Sequence, residues 1–154
     1  MRAAWPADRP RGIRVSATDW VEGGWNPDEA VVLARELKAI GCDYVDATSG
    51  GLDPRQKIPL SPGYQVPFGA RIRRETGIAT MSVGLIDKPE QAEQIVARGE
   101  ADLVVLARGA LYDPRWAWHA AEALGAETQY APKYRVCHPS LRPELFPHRR
   151  KAAS

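Results

Sequence analysis

The chain has 154 residues, of which 44% are apolar and 26% are charged, and its formal net charge is +2. A chain of this length buries one hydrophobic core, which predicts a single main domain. The small charge argues against a nucleic-acid partner. No apolar leader and no long apolar run are present, so the sequence favours a cytoplasmic protein that does not enter the membrane. Cys42 and Cys137 lack the spacing of a disulfide framework or a zinc site, and no metal site is expected.

Strands and helices alternate from the beginning of the chain. Residues 12–17 form a short β-branched run that predicts a first strand. Asn26, Pro27 and Glu29 then supply a capping box and a proline suited to the first helical position, and Gly41 can end the helix in a left-handed conformation. The buried stripe expected on this helix comprises Ala30, Leu33, Ala34, Leu37 and Ile40.

Three further units continue the alternation. Strands are predicted at residues 43–47, 78–83 and 102–106. The helices are predicted from about residue 67 to 75, from a capping box at 87–90 to just before Gly99, and from Asp113 to Leu124. The four units therefore occupy residues 12–125, and residues 126–154 are predicted to form an irregular basic tail.

Strands that alternate with helices predict βαβ units, an α/β fold class and a parallel sheet. Two architectures share this alternation. A doubly wound open sheet of four or five strands would be complete at this length, whereas a (β/α)8 barrel needs eight strands and about 250 residues. The alternation alone favours the complete open sheet.

In both architectures functional residues gather in the loops at the carboxyl ends of the strands. Arg14 is a cation inside an apolar strand, which indicates either a salt bridge with a helix acid or contact with a bound anion. Ser49 and Gly50 follow the second strand, where they form either a simple turn or a close approach to a ligand. Gly84 and Arg108 follow the third and fourth strands, and such a pair can bind phosphate through backbone N–H groups and a guanidinium.

Six segments carry a resemblance to a known family. They are RVSATDW at 14–20, SGG at 49–51, PGYQVPF at 62–68, VGLI at 83–86, LAR at 106–108 and LYDP at 111–114. In this order they resemble the Old Yellow Enzyme family, and most closely its bacterial branch of NADPH-dependent, FMN-containing ene-reductases. The resemblance implies that the chain is the C-terminal half, strands 5 to 8, of a (β/α)8 TIM barrel. Residues 1–11 would then be a remnant of the helix that precedes strand 5.

The resemblance also implies roles for individual residues. Arg14 matches the arginine beside flavin N1, where a fixed cation stabilises the reduced flavin. Ala107 and Arg108 match the pair that holds the FMN phosphate by an amide and a guanidinium, and Gly84 matches the phosphate loop after strand 7. The cofactor-binding residues implied by the resemblance are Arg14, Ser49, Gly50, Gly84, Ala107 and Arg108.

Two more residues are candidates for the substrate side. Tyr64 lies in a loop near the expected barrel mouth, where it contacts either the substrate or the side chains of Val66 and Phe68. Arg135 resembles a C-terminal arginine that reaches the active site of a neighbouring subunit in this branch, although its spacing from the preceding tyrosine differs.

The family's substrate-anchoring histidines, its proton-donating tyrosine and the residues around flavin N5 lie on strands 1 to 4. No catalytic residue besides Arg14 is therefore expected within this chain. The resemblance implies an FMN-dependent NADH/NADPH oxidoreductase that reduces activated alkenes, with NADPH as electron donor. The alternative is a non-catalytic half-barrel that retains only phosphate or FMN binding. Half a barrel exposes two sheet edges and an apolar face, which implies a homo-oligomer or a complementary N-terminal half-barrel as partner.

Overall fold

The computed structural model describes residues 4–128, 130–137, 142 and 144. The strands in this part of the chain are β1 Gly12–Ser16, β2 Tyr44–Thr48, β3 Ala79–Ser82 and β4 Leu103–Val104. The helices are α1 Pro27–Ala39, α2 Val66–Thr76, α3 Pro89–Ala97, α4 Arg108–Tyr112 and α5 Trp116–Ala123, followed by a 3-10 helix at Pro132–Cys137. None of these helices combines the length and the apolar character needed to cross a membrane.

The four strands form one sheet in the order β1-β2-β3-β4, and every neighbouring pair is parallel. The predicted α/β alternation and parallel sheet are confirmed. Each connection leads to the adjacent strand in the same direction along the sheet. A doubly wound sheet would instead reverse its strand order at a switch point. The described sheet contains no such reversal, which argues against the doubly wound open sheet.

Helix α1 begins as its sequence predicts. The Asn26 side chain accepts hydrogen bonds from the backbone N–H groups of Asp28 and Glu29 at 2.9 and 3.2 Å. The Glu29 carboxylate accepts the backbone N–H of Asn26 at 3.0 Å, which completes the capping box. The expected burial of Ile40 is wrong. This side chain is 75% exposed, because the helix ends one residue earlier and Ile40 turns away from the core.

The predicted capping box at residues 87–90 does not form. Lys88 is the N-cap of α3, and its side chain makes no capping hydrogen bond. Pro89 occupies the first turn, where its missing N–H leaves no donor unsatisfied. The start of α3 therefore depends on the proline and on the burial of Ala92 and Ile95, not on an acidic cap.

The last predicted helix is two helices in the structure. A short helix, α4, precedes the predicted start at Asp113, and α5 begins at Trp116. Asp113 separates them because the following residue is Pro114, which drives its neighbour to extended backbone, here φ −124° and ψ 90°. The Asp113 side chain accepts the backbone N–H of Arg115 at 3.0 Å, which stabilises the turn into α5.

The described helices pack on one face of the sheet and leave the other face exposed. Val45 and Ala47 of β2 point towards α1 and α2 and belong to the main hydrophobic core. A second apolar cluster comprises Val66, Ile86, Ala92, Ile95 and Ala101. Arg14, Asp46 and Leu103 lie on the opposite face, which we call the open face, because strand residues alternate between faces. The Arg14 side chain is 51% exposed and Leu103 is 54% exposed, so the described helices cover one face only.

The segments on either side of the four units are irregular. Residues 5–10, interpreted from the sequence as part of a helix remnant, form turns and bends. After α5, the rings of Tyr130 and Tyr134 pack on Trp118 with centroid distances of 4.5 and 5.5 Å, which fixes the start of the predicted tail to the helix layer. Most of the tail after residue 137 lies outside the described residues.

Candidate functional site

The loops that follow β1, β2 and β3 meet where these strands end, at what we call the carboxyl edge of the sheet. The Gly50 N–H donates to the Thr18 carbonyl at 2.9 Å, and Ser16 Oγ donates to the Gly50 carbonyl at 3.3 Å. The Gly63 N–H donates to the Gly84 carbonyl at 2.8 Å, which ties the segment before α2 to the loop after β3. The predicted loops therefore form one connected edge.

Two of the predicted glycines occupy positions that a side chain would disturb. Gly50 has φ +66°, and a Cβ there would lie 2.7 Å from Gln56 Oε1. Gly84 has φ +117°, and a Cβ there would lie 2.9 Å from Gln65 Nε2 and 3.1 Å from Tyr64 Cε1. Glycine is the residue that adopts such backbone angles without strain. Both positions thus combine left-handed backbone with a close approach of neighbouring side chains.

Ser49 is buried and bonded to a residue that the sequence did not single out. Its Oγ donates to Gln65 Oε1 at 2.7 Å, and Thr48 Oγ1 donates to the same oxygen at 3.1 Å. Gln65 lies within the PGYQVPF segment, but a lone glutamine before a helix gives no local signal of function. The proximity of Gln65 to Ser49 and Gly84 becomes visible only in the folded chain.

Arg14 pairs with a carboxylate on the open face. Its Nη1 lies 3.3 Å from Asp46 Oδ2 on the adjacent strand. Of the two explanations that the sequence allowed, the salt bridge forms with a strand acid and not with a helix acid. Burial raises the pKa of the Asp46 carboxyl above its ordinary value, and the nearby Arg14 charge opposes that rise. Oδ1 of Asp46 is buried and has no hydrogen-bond partner among the described residues. About half of the Arg14 side chain stays exposed, so it can also contact an anion on this face.

The loops after β3 and β4 lie side by side. The Val105 N–H donates to the Ser82 carbonyl at 2.8 Å, which extends the pairing of these strands towards Gly84 and Arg108. Ala107 is the N-cap of α4 and Arg108 is its first residue. The Arg108 side chain is exposed, and no group in the described part of the chain pairs with its guanidinium. A glycine loop beside an unpaired arginine is suited to binding a phosphate.

The two substrate-side candidates have different positions. Tyr64 is half-buried beside Gly84 at the carboxyl edge. The Phe68 ring packs on Trp20, with centroids 5.5 Å apart. Arg135 is exposed in the 3-10 helix that follows α5. No contact among the described residues joins Arg135 to the other candidates.

The loops at the carboxyl edge also contain unfavourable backbone and polar groups. Trp20 and Leu85 have positive φ angles of 58° and 52°. Such left-handed residues cost about 1–3 kcal/mol each and are concentrated at functional sites. Trp20 Nε1 and Asp19 Oδ1 are buried without a hydrogen-bond partner among the described residues. These features indicate that the edge is organised for binding and not for maximal stability.

Comparison with known proteins identifies a family for most of the chain. The model of the NADH:flavin oxidoreductase / NADH oxidase family matches residues 2–127 of the chain. The chain belongs to this family. The resemblance inferred from the sequence is thereby confirmed.

Relatives of this oxidoreductase family are much longer than this chain. The NADPH dehydrogenase of Listeria innocua is 46% identical over 126 residues, which cover 82% of this chain and 37% of the relative. The NADPH dehydrogenase of a Geobacillus species is 43% identical over 134 residues, covering 87% of this chain and 38% of the relative. The chain therefore spans less than two fifths of the length of these relatives.

A solved structure supports the fold independently. A 2-naphthoyl-CoA reductase in complex with 2-naphthoyl-CoA superimposes with a TM-score of 0.62 and 21% sequence identity. The match covers 73% of this chain and 18% of that protein. The similarity concerns the arrangement of strands and helices.

Proposed function

We propose that this chain supplies the FMN-binding half of an oxidoreductase that takes electrons from NADPH or NADH and reduces activated alkenes. The observation that carries the proposal is that Gly84 and Arg108 follow two neighbouring paired strands and that no described residue pairs with the Arg108 guanidinium. Arg14 lies on the open face of the same sheet. Membership of the flavin oxidoreductase family and the NADPH dehydrogenase names of the relatives support flavin and nicotinamide as the reaction partners.

The residues present fit the phosphate end of FMN. Arg108 offers a guanidinium that no described residue occupies, and its planar group can donate two parallel hydrogen bonds to phosphate oxygens. Gly84 is proposed to bind the phosphate through its backbone N–H, while the space left by its missing Cβ accommodates Gln65 and Tyr64. Ala107 contributes through its backbone amide, for which the alanine side chain is no obstacle. Ser49 and Gly50, at the adjacent strand end, complete the proposed cofactor-binding set.

The proposed role of Arg14 is electrostatic. When bound, FMN supplies the hydride chemistry of the reaction. Arg14 would hold a fixed positive charge against the N1 edge of the ring and stabilise the negative charge that gathers there on reduction. Asp46, 3.3 Å away, restrains the guanidinium and partly offsets its charge. Tyr64 is proposed to contact the substrate, and Arg135 is proposed to reach the site of a neighbouring subunit.

We further propose that the sheet is strands 5 to 8 of a (β/α)8 barrel. This is supported by the sequential parallel order of the strands and by helices that cover one face only. A complementary N-terminal half-barrel or a second copy of the chain would cover the open face, and only the N-terminal half-barrel would supply the proton donor and the substrate-binding residues. Residues 12–125 as the four units, residues 1–11 and 126–154 as flanking segments, and a cytoplasmic location belong to the same proposal.

The second candidate is a non-catalytic half-barrel that retains only phosphate or FMN binding. The observation that favours it is the exposure of the open face, where Leu103 is 54% exposed. With this face uncovered, a bound flavin ring would have protein on one side only. The two candidates differ in a simple assay. Mixing the chain with the N-terminal part of the Listeria innocua relative should restore alkene-dependent NADPH oxidation under the first candidate and not under the second.

Flavin titration tests the proposed binding site. FMN fluorescence is followed as the chain is added, with Arg108→Ala as the test variant and Arg98→Ala, an exposed arginine on the helix layer, as the matched control. We expect Arg108→Ala to weaken FMN binding about tenfold or more, since charge-assisted hydrogen bonds contribute about 1.5–3 kcal/mol each. Equal affinity of the wild type and Arg108→Ala would refute the phosphate assignment.

A further inference from the structure

Gln65 is a buried polar residue at the centre of the carboxyl edge. It is 3% exposed and precedes the first turn of α2 as its N-cap residue. Its side chain makes no hydrogen bond to that helix. A glutamine that caps a helix would direct its oxygen to the free N–H groups of the first turn. Here the amide is directed to the loops of the sheet instead.

The carbonyl end of Gln65 holds the loop after β2. Oε1 accepts hydrogen bonds from Ser49 Oγ at 2.7 Å and from Thr48 Oγ1 at 3.1 Å. These two donors occupy both lone pairs of one amide oxygen. Thr48 is the last residue of β2 and the register partner of Ser16, so the bond fixes the point at which this strand ends.

The amide end of Gln65 abuts the loop after β3. Its Nε2 and Cγ lie 2.9 and 3.2 Å from the position that a Cβ on Gly84 would occupy. Two residues before Gln65, the Gly63 N–H donates to the Gly84 carbonyl at 2.8 Å. The backbone of this short segment therefore holds the Gly84 loop by a hydrogen bond, and the side chain of Gln65 packs against the same loop.

We propose that Gln65 is the positioning residue that sets the separation of the Ser49 and Gly84 loops, and thereby the shape of the phosphate-proximal part of the flavin site. The ligand part of this inference rests on the proposed function. One side chain is hydrogen-bonded to the end of one strand and packed against the loop after the next, so its size and its hydrogen bonds constrain the distance between the two loops. Gln65 acts through Ser49, Thr48 and Gly84 and makes no proposed contact with the reacting atoms.

Two variants distinguish the roles of the carbonyl end and the amide end of the Gln65 side chain. Gln65→Leu keeps a similar volume and removes both polar ends, which leaves the Ser49 and Thr48 hydroxyls without their acceptor. Gln65→Glu keeps acceptor oxygens for both hydroxyls and puts a negative charge beside Gly84. Gln94→Leu, on the exposed side of α3, is the matched control for loss of an amide.

The first measurement needs no flavin. Amide hydrogen exchange of the full chain is followed in peptides that cover residues 47–52 and 82–87. We expect Gln65→Leu to accelerate exchange at least tenfold in both segments while α1 and α5 keep wild-type rates, and Gln65→Glu to stay within about threefold of wild type. Wild-type exchange in Gln65→Leu, or acceleration in only one of the two loops, would overturn the proposal.

The second measurement distinguishes a positioning role from a merely structural one. FMN and riboflavin affinities are compared for the same variants. Gln65→Leu should weaken both ligands, whereas Gln65→Glu should weaken FMN at least tenfold more than riboflavin, because its carboxylate repels the phosphate. Loosened loops with unchanged FMN affinity would contradict the positioning role.

Two further outcomes are informative. If Gln65→Leu does not fold, Ser49→Ala can replace it, because this variant removes only one hydrogen-bond donor. It should still accelerate amide exchange in both loops. Acceleration confined to residues 47–52 would overturn the bridging role of Gln65. A wild-type chain that binds no flavin would contradict the proposed function. The exchange rates would then support or overturn the bridging role of Gln65 by themselves.

Discussion

The two edges of the sheet differ in the pairing of Arg73 and Arg108. At the amino edge, where the strands begin, Arg73 donates two hydrogen bonds to the Asp102 carboxylate at 3.0 and 3.1 Å. The same carboxylate accepts the Thr80 N–H at 2.8 Å, and Lys38 donates to the Thr76 carbonyl at 2.7 Å. Charges at this edge are paired within the chain.

The carboxyl edge leaves comparable groups unpaired. Arg108 has no partner among the described residues, and Trp20 Nε1 is buried without an acceptor. Trp20 and Leu85 also hold left-handed backbone angles that cost stability. In parallel α/β folds the amino end of the strands serves stability and the carboxyl end carries the site. The comparison therefore predicts that damage to one edge changes stability and damage to the other changes binding.

The largest effect is expected from Asp102→Ala at the amino edge. The substitution removes the partner of Arg73 and leaves the fully buried Thr80 N–H without an acceptor. An unsatisfied buried donor costs about 1–3 kcal/mol, so the free energy of unfolding should fall by about 2 kcal/mol in urea denaturation. Asp87→Ala, on an exposed acid, should change little. A strong loss of FMN affinity at temperatures where Asp102→Ala stays folded would contradict the expectation that the amino edge contributes to stability and not to binding.

Gly84→Ala should have the converse effect at the carboxyl edge. The new Cβ would lie 2.9 Å from Gln65 Nε2 in a backbone with φ +117°, so the loop must shift. We expect FMN affinity to fall about tenfold, which corresponds to 1.4 kcal/mol. Gly125→Ala is the matched control, because Gly125 has φ +68° and no atom within 4 Å of the added Cβ. Equal FMN affinities of the two variants would remove the Gly84 loop from the site.

Asp102 at the amino edge and Asp46 on the open face should give small pH effects of opposite sign on the free energy of unfolding. The hydrogen bonds from Arg73 lower the pKa of Asp102 below its ordinary value of 3.8. The stability contributed by Asp102 is then present above pH 3.8 and is lost as the pH falls through the lower folded pKa. Burial on the open face raises the pKa of Asp46 above 3.8, so its ionisation reduces stability as the pH rises through the higher folded pKa.

Carbon-13 NMR titration of the carboxyl groups of Asp102 and Asp46 measures both pKa shifts. Asp102→Asn should flatten the loss of stability on the acid side, and Asp46→Asn should remove the loss that begins above pH 3.8. A titration midpoint that is lower for Asp46 than for Asp102 would contradict the environments that the structure gives these two groups.

The sequence predicted the repeating elements because their signals are local. Strand runs and the Asn26 cap lie within a few residues of the elements they define, and β1, β2, α1 and the parallel sheet are confirmed. Helix α4 was missed because five residues carry too little periodicity to be recognised. The capping box expected at residues 87–90 failed because the N-cap of α3 is Lys88, one residue after Asp87, and a lysine side chain cannot accept a hydrogen bond.

The site was only partly predictable for a related reason. Gly84 and Arg108 were predicted to act together because residues after strand ends meet at one edge in any parallel fold. Gln65 and Asp46 were not found, because their partners are distant in sequence. Gln65 bonds to a serine 16 residues earlier, and Asp46 pairs with a residue on another strand. Such contacts depend on strand register and on how the loops pack, which local patterns do not determine.

Phosphorus-31 NMR of FMN titrated with the chain tests the proposed phosphate site, because it observes the phosphate itself. The FMN phosphate resonance should shift or broaden on addition of the wild type and of Gly125→Ala. A much weaker response is expected at the same concentrations for Arg108→Ala. A flavin that binds while its phosphate resonance stays at the free position, or an unchanged response with Arg108→Ala, would contradict an FMN phosphate site between the loops after β3 and β4.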